Sequence, residues 1–449
     1  MSAVSAVPRR PDLADQVLAR GASLGETPVE SLRPLVNECL QALRDAGAHA
    51  GTVVAVEEGA APRFLASVLA AWTLDAVPLP CRSAAAVPLC AGAYIVDVGG
   101  RVHEPRERVE WRGLESTAVL HVTSGSTSAP KLARRGCASV LGEATGYRLG
   151  LSLGPRDRVY TPVPLAHSYG WGVAIGALLA GACLDAVPLT HARRGAVRLK
   201  AATVAAITAP IASLLASVPR IPGEPGGIPR IVMVGASRVT AQIDDAFHAR
   251  FGVRLARNYG SSETGATLIG AAGLPEGAVG LPMHGNIVVA PEPGEEGELR
   301  IALPPVEGCI GAASPPTRHW STGDLVRRDV DGTVIFVARL RAATRVNDRN
   351  VDVHGLEQAI RGCANVEDVF SLVLSRPDGH TEDLYAVVAG DAVDRDSIRR
   401  GRGTWPDGTR SARLIYCEQL PLLATGKVDR ARVIEIIKAQ IIKAQRSGQ

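Results

Sequence analysis

Residues 118–131 carry the sequence AVLHVTSGSTSAPK, in which an apolar run changes abruptly into a loop of small polar residues. The run from Ala118 to Val122 predicts a strand, and the loop predicts a turn at its end. Glycine lets a backbone approach a phosphate, hydroxyl and N–H groups donate to its oxygens, and Lys131 adds a positive charge. The spacing does not fit the G-x-x-x-x-G-K-[ST] loop of P-loop NTPases. Taken alone, such a loop is also compatible with an ordinary linker.

Strands and helices alternate on both sides of this loop. Thr52 to Val56 and Ala76 to Leu79 predict strands, and residues 62–74 predict a helix between them. This order is typical of a parallel βαβ unit. The pattern continues with a helix at 171–182 and strands at 183–189, 202–206, 230–234 and 254–259. Because ligands of open α/β sheets lie beyond the carboxyl ends of strands, the Gly/Ser loops there are candidate binding segments.

The second half of the chain has a different residue composition and pattern. From about Gly277, glycine, proline and short β-like runs predict a β-rich subdomain, and a charged stretch follows Arg339. We expect a hinge at about 338–343, a domain over residues 1–338, and a small mobile lid over residues 339–449. The predicted fold class is therefore α/β, a large N-terminal α/β domain with a β-rich subdomain plus a C-terminal α/β lid. A tandem IIKAQ repeat at 436–445 indicates a basic amphipathic terminal helix rather than a partner-binding element.

Composition narrows the function classes. The chain has 449 residues, of which 46% are hydrophobic and 21% charged, the balance of a globular protein with two or three folding units. A net charge of +4, without a basic block interleaved with aromatics, argues against nucleic acid as a partner. The N-terminus lacks a signal-peptide core, and the longest apolar run, 173–184, is too short to span a bilayer. Eight cysteines without a C-x-x-C pair predict free, mostly buried thiols, so we expect a cytoplasmic protein with no membrane partner. The oligomeric state stays open.

Eight motifs in order make the chain resemble the adenylate-forming ligases. Residues 123–131 are similar to the phosphate-binding loop of that family, T-S-G-T/S-T-G-x-P-K. The others are Pro164–Gly170 (P-L-x-H-x-Y-G), Gly235–Ser237 (G-G-A-P), Asn258–Glu263 (Y-G-x-T-E), Val279–Pro282 (V-G-x-P), Trp320–Asp324 (W-x-x-T-G-D), Asp331-Gly332 with Arg339 (D-G…G-R) and Thr425–Arg430 (T-G-K-x-x-R). The resemblance covers roughly residues 47–434 and is nearest to the acyl- and aryl-acid ligases.

This resemblance implies a reaction and its catalytic residues. A carboxylic acid would be activated with ATP as its acyl-adenylate, and after lid rotation the acyl group would pass to a phosphopantetheine thiol, on coenzyme A or an acyl carrier protein. Lys427 would stabilise charge that develops on the α-phosphate. Glu263 would bind Mg²⁺, and His167 would lie near the acid or the thiol. Residues 164–170 lack the Asp with which amino-acid-activating relatives hold an amine, so an aryl or acyl acid is expected.

The resemblance also assigns residues to the two substrates. Asp324 would accept both ribose hydroxyls, Arg339 would reach the ribose or the α-phosphate, and Tyr259 would stack on adenine. The ATP- and AMP-binding set is Thr123, Ser124, Gly125, Ser126, Thr127, Lys131, Gly235, Ala236, Ser237, Asn258, Tyr259, Gly260, Ser261, Ser262, Asp324 and Arg339. The acid-binding set is His167, Tyr169, Gly170, Val234, Gly260 and Gly265. A core or capping role stays open for His167.

The chain departs from the family pattern at several positions. Ser128 replaces the second glycine of the phosphate loop, Ser262 the usual threonine, and Asp75 a glycine. In the hinge and lid, Ala342 replaces a charged residue and Asp348 replaces a glycine. Since these last two changes affect the thioester-forming conformation, transfer to an amine or another non-thiol acceptor is an alternative. A non-catalytic nucleotide-binding relative is a second alternative.

Overall fold

The computed structural model describes residues 8–107, 109, 111–123, 131–220, 223–224, 226–306, 310, 317–339, 343–346, 349–375, 382–406, 408–423 and 428–447. They form a mixed α/β protein, which confirms the predicted fold class. The α-helices are α1 (Arg10–Ala19), α2 (Arg33–Asp45), α3 (Ala61–Thr73), α4 (Cys137–Gly150), α5 (Ser168–Leu179), α6 (Ala192–Ala201), α7 (Ala209–Ala216), α8 (Ala241–Phe251), α9 (Val353–Arg361), α10 (Arg395–Arg400) and α11 (Arg430–Ser447).

The strands fall into five sheets among the described residues. Their bounds are β1 (Ser23–Leu24), β2 (Thr27–Pro28), β3 (Val53–Glu57), β4 (Val77–Cys81), β5 (Tyr94–Val96), β6 (Val102–His103), β7 (Thr117–Thr123), β8 (Lys131–Gly136), β9 (Arg158–Thr161), β10 (Cys183–Ala186), β11 (Val204–Ile207), β12 (Ile231–Val234), β13 (Leu255–Ser261), β14 (Gly265–Gly270), β15 (Ala278–Pro282), β16 (Ile287–Ala290), β17 (Glu296–Val306), β18 (Thr317–Arg328), β19 (Val334–Arg339), β20 (Ala343–Val346), β21 (Arg349–Asp352), β22 (Asp368–Ser375), β23 (Glu382–Ala389) and β24 (Arg413–Cys417).

The predicted βαβ unit near the N-terminus is confirmed. β3 pairs in parallel with β4 and with β5, in a sheet ordered β4-β3-β5-β6. Val53 to Val56 are all buried, as are nine consecutive residues of α3, which connects β3 and β4. Strands covered on both faces carry continuous apolar runs, which is why this unit was recognisable in the sequence.

The large sheet positions the candidate site. Its order is β16-β17-β18-β19-β15-β14-β13-β12-β11-β9-β10-β1-β2. The five neighbouring strands β13, β12, β11, β9 and β10 are parallel to one another. β14 and β15 continue it in antiparallel fashion, so the β-rich segment extends the same sheet. Val234 pairs with Arg257 across β12 and β13. The loops that follow these two strands therefore begin at the same edge.

The strand before the phosphate loop is not a member of the parallel series. β7 pairs antiparallel with β8 in a sheet of two strands, with Thr123 opposite Lys131. The predicted strand at Ala118 to Val122 is confirmed, but it belongs to an antiparallel pair and not to a βαβ unit. Only residues 124–130 separate the two strands, which is too short for a crossover connection.

The chain divides into two compact units. The first comprises residues 1–295, 299–322 and 327–335, and the second comprises 296–298, 323–326 and 336–449. The expected single boundary between residues 338 and 339 stays a prediction. Within the second unit, β23 pairs antiparallel with β22 and parallel with β24. The tandem repeat lies in α11, where Ile437 is fully buried against this small sheet's core.

Two further expectations concern the thiols and the membrane. The seven cysteines that the structure describes are free, as predicted, and four of them are buried. Cys309 lies outside the described residues. Among the described helices, none has the length and apolar content needed to cross a bilayer.

Candidate active site

Residues from three separate motifs meet around Gly235, at the carboxyl ends of β12 and β13. A Cβ placed on Gly235 would lie 2.8 Å from the Tyr169 ring and 3.0 Å from Nδ2 of Asn258, so glycine is required there. The Tyr169 hydroxyl donates to the Met233 carbonyl at 3.1 Å. Burial raises the pKa of Tyr169 far above its usual range, so the phenol is neutral. The structure thus brings together Tyr169, Asn258 and the strand end Val234-Gly235.

The turn after β12 is fixed by a serine. The backbone N–H of Ala209, the first residue of α7, donates to Ser237 Oγ at 2.8 Å. Ser237 Oγ also donates to the Gly235 carbonyl at 3.3 Å. Between them, Ala236 has φ +59°, a left-handed conformation that a residue with a Cβ adopts only when its surroundings hold it there. This predicted nucleotide-binding segment is therefore a rigid, strained turn.

A tight hairpin joins β13 to β14. The hydroxyls of Ser261 and Thr264 lie 3.1 Å apart, and the Thr264 N–H donates to Ser261 Oγ at 3.3 Å. A Cβ on Gly260 would lie 2.1 Å from the Gly265 carbonyl oxygen, so the two strands approach each other only because residue 260 is glycine. Tyr259 is half-buried in β13, and its carbonyl accepts from Thr267 Oγ1 at 3.3 Å.

This hairpin presents the predicted magnesium ligand. Glu263 is half-buried and forms no ion pair within the part of the chain that the structure describes. Its carboxylate is the kind of hard oxygen donor that Mg²⁺ prefers, so the residue fits the role. The neighbouring Ser262 Oγ lies 3.4 Å from Ser168 Oγ at the start of α5. Across the described residues, no three His, Cys, Asp or Glu side chains cluster as a metal site of their own.

His167 is the N-cap of α5. Its Nδ1 accepts the Tyr169 N–H at 3.2 Å, which is the capping role that the sequence left open. The loop before it is held by Glu58, whose carboxylate accepts the Leu165 N–H. Burial raises the pKa of Glu58 above its usual value, although the backbone donors oppose this. Gly170 packs closely, since a Cβ there would lie 2.2 Å from the Pro164 carbonyl oxygen.

Helix α4, which no sequence pattern predicted, also contacts the region around Gly235 and Asn258. The Tyr147 hydroxyl donates to Asn258 Oδ1 at 3.3 Å, and Tyr147 is fully buried. Burial and the Glu143 carboxylate raise the pKa of Tyr147 well above its usual value. The contact joins positions 111 residues apart in the chain, so no local pattern could have revealed it.

A buried ion pair lies beside the β13–β14 hairpin. Arg135 Nη2 lies 3.0 Å from Glu143 Oε2, and both side chains are almost fully buried. The other Glu143 oxygen accepts the Ala266 N–H at 2.7 Å. A Cβ on Gly265, which has φ +70°, would lie 2.4 Å from Arg135 Nη1. The predicted acid-binding residue Gly265 is thus a glycine because a guanidinium occupies the space behind it.

The remaining predicted residues lie elsewhere or outside the described chain. Thr123 ends β7, Lys131 begins β8 with an exposed side chain, and Arg339 ends β19. In the second unit, Asp324 is 1% exposed, and the preceding Gly323 donates its N–H to Glu298 Oε1 at 3.1 Å. Outside the described residues lie Ser124, Gly125, Ser126, Thr127, Ser128, Ala342, Asp348 and Lys427.

Gly/Ser turns at the carboxyl ends of parallel strands are where ligands of α/β sheets bind. Residues 84–307 match the family described as AMP-binding enzyme. This match places the chain in the adenylate-forming ligase superfamily.

Individual relatives are distant. The medium/long-chain-fatty-acid–CoA ligase FadD17 of Mycobacterium tuberculosis is 26% identical over 65% of this chain and 63% of its own length. The phenyloxazoline synthase MbtB of Mycobacterium sp. is 29% identical over 77% of this chain and 32% of its own length. The chain therefore spans less than two thirds of the length of these curated relatives. ATP-bound MatB from Rhodopseudomonas palustris has the same fold, with a TM-score of 0.74, 19% identity, and coverage of 94% of this chain and 98% of that one.

Proposed function

We propose that this protein activates a carboxylic acid with ATP as an acyl-adenylate and releases pyrophosphate. One observation carries the proposal: Tyr169, Gly235 and Asn258, from three separate motifs, converge at the ends of neighbouring parallel strands. Binding crevices of α/β sheets lie at this edge. Eight ordered motifs and the family match agree with this assignment.

The proposed first step is nucleophilic displacement at phosphorus. A carboxylate oxygen of the acid attacks the α-phosphorus, an acyl–O–P bond forms, and the bond to the bridging oxygen breaks, so that pyrophosphate leaves with the electron pair. We assign Lys427 to stabilise negative charge on the α-phosphate and Asp324 to hold the ribose hydroxyls. Glu263 would hold Mg²⁺, which supplies charge neutralisation for the phosphates.

The proposed second step is acyl transfer. A thiol sulfur attacks the acyl carbon, the thioester forms, AMP leaves, and the thiol proton passes to solvent. The name of the relative FadD17, a CoA ligase, favours a phosphopantetheine thiol. Ala342 and Asp348, which stand at altered hinge and lid positions, favour the second candidate, transfer to an amine or another non-thiol acceptor.

The test of the first step needs no acceptor. Pyrophosphate release is measured with hydroxylamine as the trapping nucleophile, across aryl, fatty and amino acids without any thiol. We expect release with an aryl or acyl acid. Gly235→Ala should abolish it, because the new Cβ would collide with Tyr169 and Asn258. Gly154→Ala is the matched control, since a Cβ at that position would meet open space.

The acceptor is tested after the acid has been found. Coenzyme A, a phosphopantetheinylated carrier protein and a panel of amines are each added to the adenylating mixture, and AMP release is followed by mass analysis of the product. A thioester product supports the first candidate. An amide product with no thioester supports the second. ATP binding without pyrophosphate release on any acid would instead support a non-catalytic relative.

A further inference from the structure

One face of α4 consists of side chains spaced by four residues. Ser139, Glu143 and Tyr147 fall on the same side of the helix, and all three are buried. A buried helical face that carries a hydroxyl, a carboxylate and a phenol is unusual, because such groups are costly to bury without partners. Each of these three side chains forms a hydrogen bond, and the partners come from β8, β14 and β13, the strands around the proposed acid site.

The facing helix leaves no space against this row. α5 presents Gly172 and Gly176 to it, also four residues apart. A Cβ on Gly172 would lie 2.4 Å from Glu143 Oε1, and a Cβ on Gly176 would lie 3.1 Å from the Tyr147 Cβ. The two helices are therefore in direct van der Waals contact, and an alkyl chain does not fit between them.

The same row lies beside residues assigned to the acid. Tyr147 contacts Asn258, a residue assigned to the nucleotide, and Asn258 lies against Gly235 together with the acid-assigned Tyr169. The Glu143 carboxylate accepts a hydrogen bond from the N–H of Ala266, the residue that follows the predicted acid-binding residue Gly265. An acid that entered past Tyr169 and Gly235 would thus encounter the α4 row as the inner end of its site.

The inner end is also polar. Arg135 is fully buried and donates Nε to Ser139 Oγ at 2.9 Å as well as pairing with Glu143. An aliphatic tail that reached this depth would have to separate a buried ion pair, which leaves each charge uncompensated. Shape and polarity therefore oppose the same class of substrate, acids with long hydrocarbon chains.

We infer that Tyr147 and the Arg135–Glu143 pair close the inner end of the acid site, so that the enzyme accepts compact aryl or short-chain acids and rejects medium- and long-chain fatty acids. The inference rests on the proposed function. It makes Tyr147 a specificity-determining residue, whose role is to limit the length of the acid and not to take part in the chemistry.

The first test uses the unaltered protein. Hydroxylamine-trapped pyrophosphate release is measured with benzoic acid and with straight-chain acids from acetic to dodecanoic acid. We expect kcat/KM to fall by about tenfold or more once the chain exceeds the depth of the site. Equal efficiency with butanoic and dodecanoic acid would overturn the inference while leaving the proposed function intact. No release with any acid would overturn the proposed function itself.

The second test shortens the side chain at position 147. Tyr147→Leu shortens the side chain at the inner end, and the ratio of kcat/KM for octanoic acid to that for butanoic acid should rise about tenfold. Tyr160→Leu is the matched control, because Tyr160 is equally buried but belongs to a different core cluster around α6 and α7. A ratio that is unchanged in Tyr147→Leu, or that rises equally in Tyr160→Leu, would remove Tyr147 from this role.

Discussion

Glu357 makes the stability of the second unit depend on pH, and neutralising it should remove that dependence. Glu357 lies on α9 with its side chain only 16% exposed. Burial is the main reason that its pKa is raised from 4.5 to about 7. Arg361 offsets this only in part, because its guanidinium lies 3.7 Å from Glu357 but 3.0 Å from Asp368. The Ser371 N–H donates to Glu357 Oε1 at 2.7 Å.

The magnitude follows from the two pKa values. In the unfolded chain the carboxyl group ionises near 4.5, whereas in the folded chain it keeps its proton up to about 7. Between these values the folded state binds more protons, so the free energy of unfolding falls as pH rises. At about 1.36 kcal/mol for each pH unit, the loss approaches about 3 kcal/mol above pH 7. Glu357→Gln keeps an acceptor for Ser371 and carries no charge. It should therefore stabilise the second unit by about 3 kcal/mol near pH 8, and by less than about 1 kcal/mol near pH 5.

The assay must report on the second unit within the full chain. Urea unfolding near both pH values is followed by hydrogen exchange of the amides in α9 and β22, which isolates the local transition. Glu367→Gln removes an exposed carboxylate just beyond the same helix and should change neither value. If Glu357→Gln and the unaltered protein were equally stable near pH 8, the carboxylate would be solvated in the folded state and the reasoning would be refuted.

Three further predictions concern the site. Lys427→Ala should lower pyrophosphate release by about 100-fold or more without changing thermal unfolding, and near-normal turnover would remove Lys427 from its proposed role. Arg135→Met leaves Glu143 buried and unpaired, so urea denaturation should show a loss of about 3–5 kcal/mol. Adding Glu143→Leu should recover most of that loss, and no recovery would contradict the ion-pair argument. Gly260→Ala places a Cβ 2.1 Å from a backbone oxygen across the hairpin, so ATP affinity measured by calorimetry should fall, whereas Gly154→Ala should retain it.

The parallel core was predictable because its strands are buried on both faces. Three of the four residues of β12, Val232 to Val234, are buried, and such runs stand out in a sequence. The glycine after β12 was equally visible, but its physical reason was not. The sequence indicated a turn at Gly235, and the structure adds that the Tyr169 ring fills the space of the missing Cβ.

Long-range polar contacts could not be predicted. Asp75 was recognisable only as a departure from a glycine, and the structure supplies the compensation. Asp75 keeps the left-handed backbone with φ +58°, and its carboxylate accepts from Arg10 Nε at 2.9 Å. Arg10 is itself buried and also donates to the carbonyls of Leu114 and Thr117. Since these contacts connect α1 to residues 65 or more positions away, no local pattern encodes them.

The same limitation explains why no motif indicated the proposed inner end of the acid site. Glu143 on the buried face of α4 has the sequence signature of a solvated residue, because its partners Arg135 and Ala266 belong to other elements. The recognisable motifs are those that the family resemblance assigns to the nucleotide and the reacting carboxylate. Ser139, Glu143 and Tyr147 of α4 belong to none of these motifs. The limit on acid length that we propose rests on packing between α4 and α5, which becomes visible only once the two helices are placed side by side.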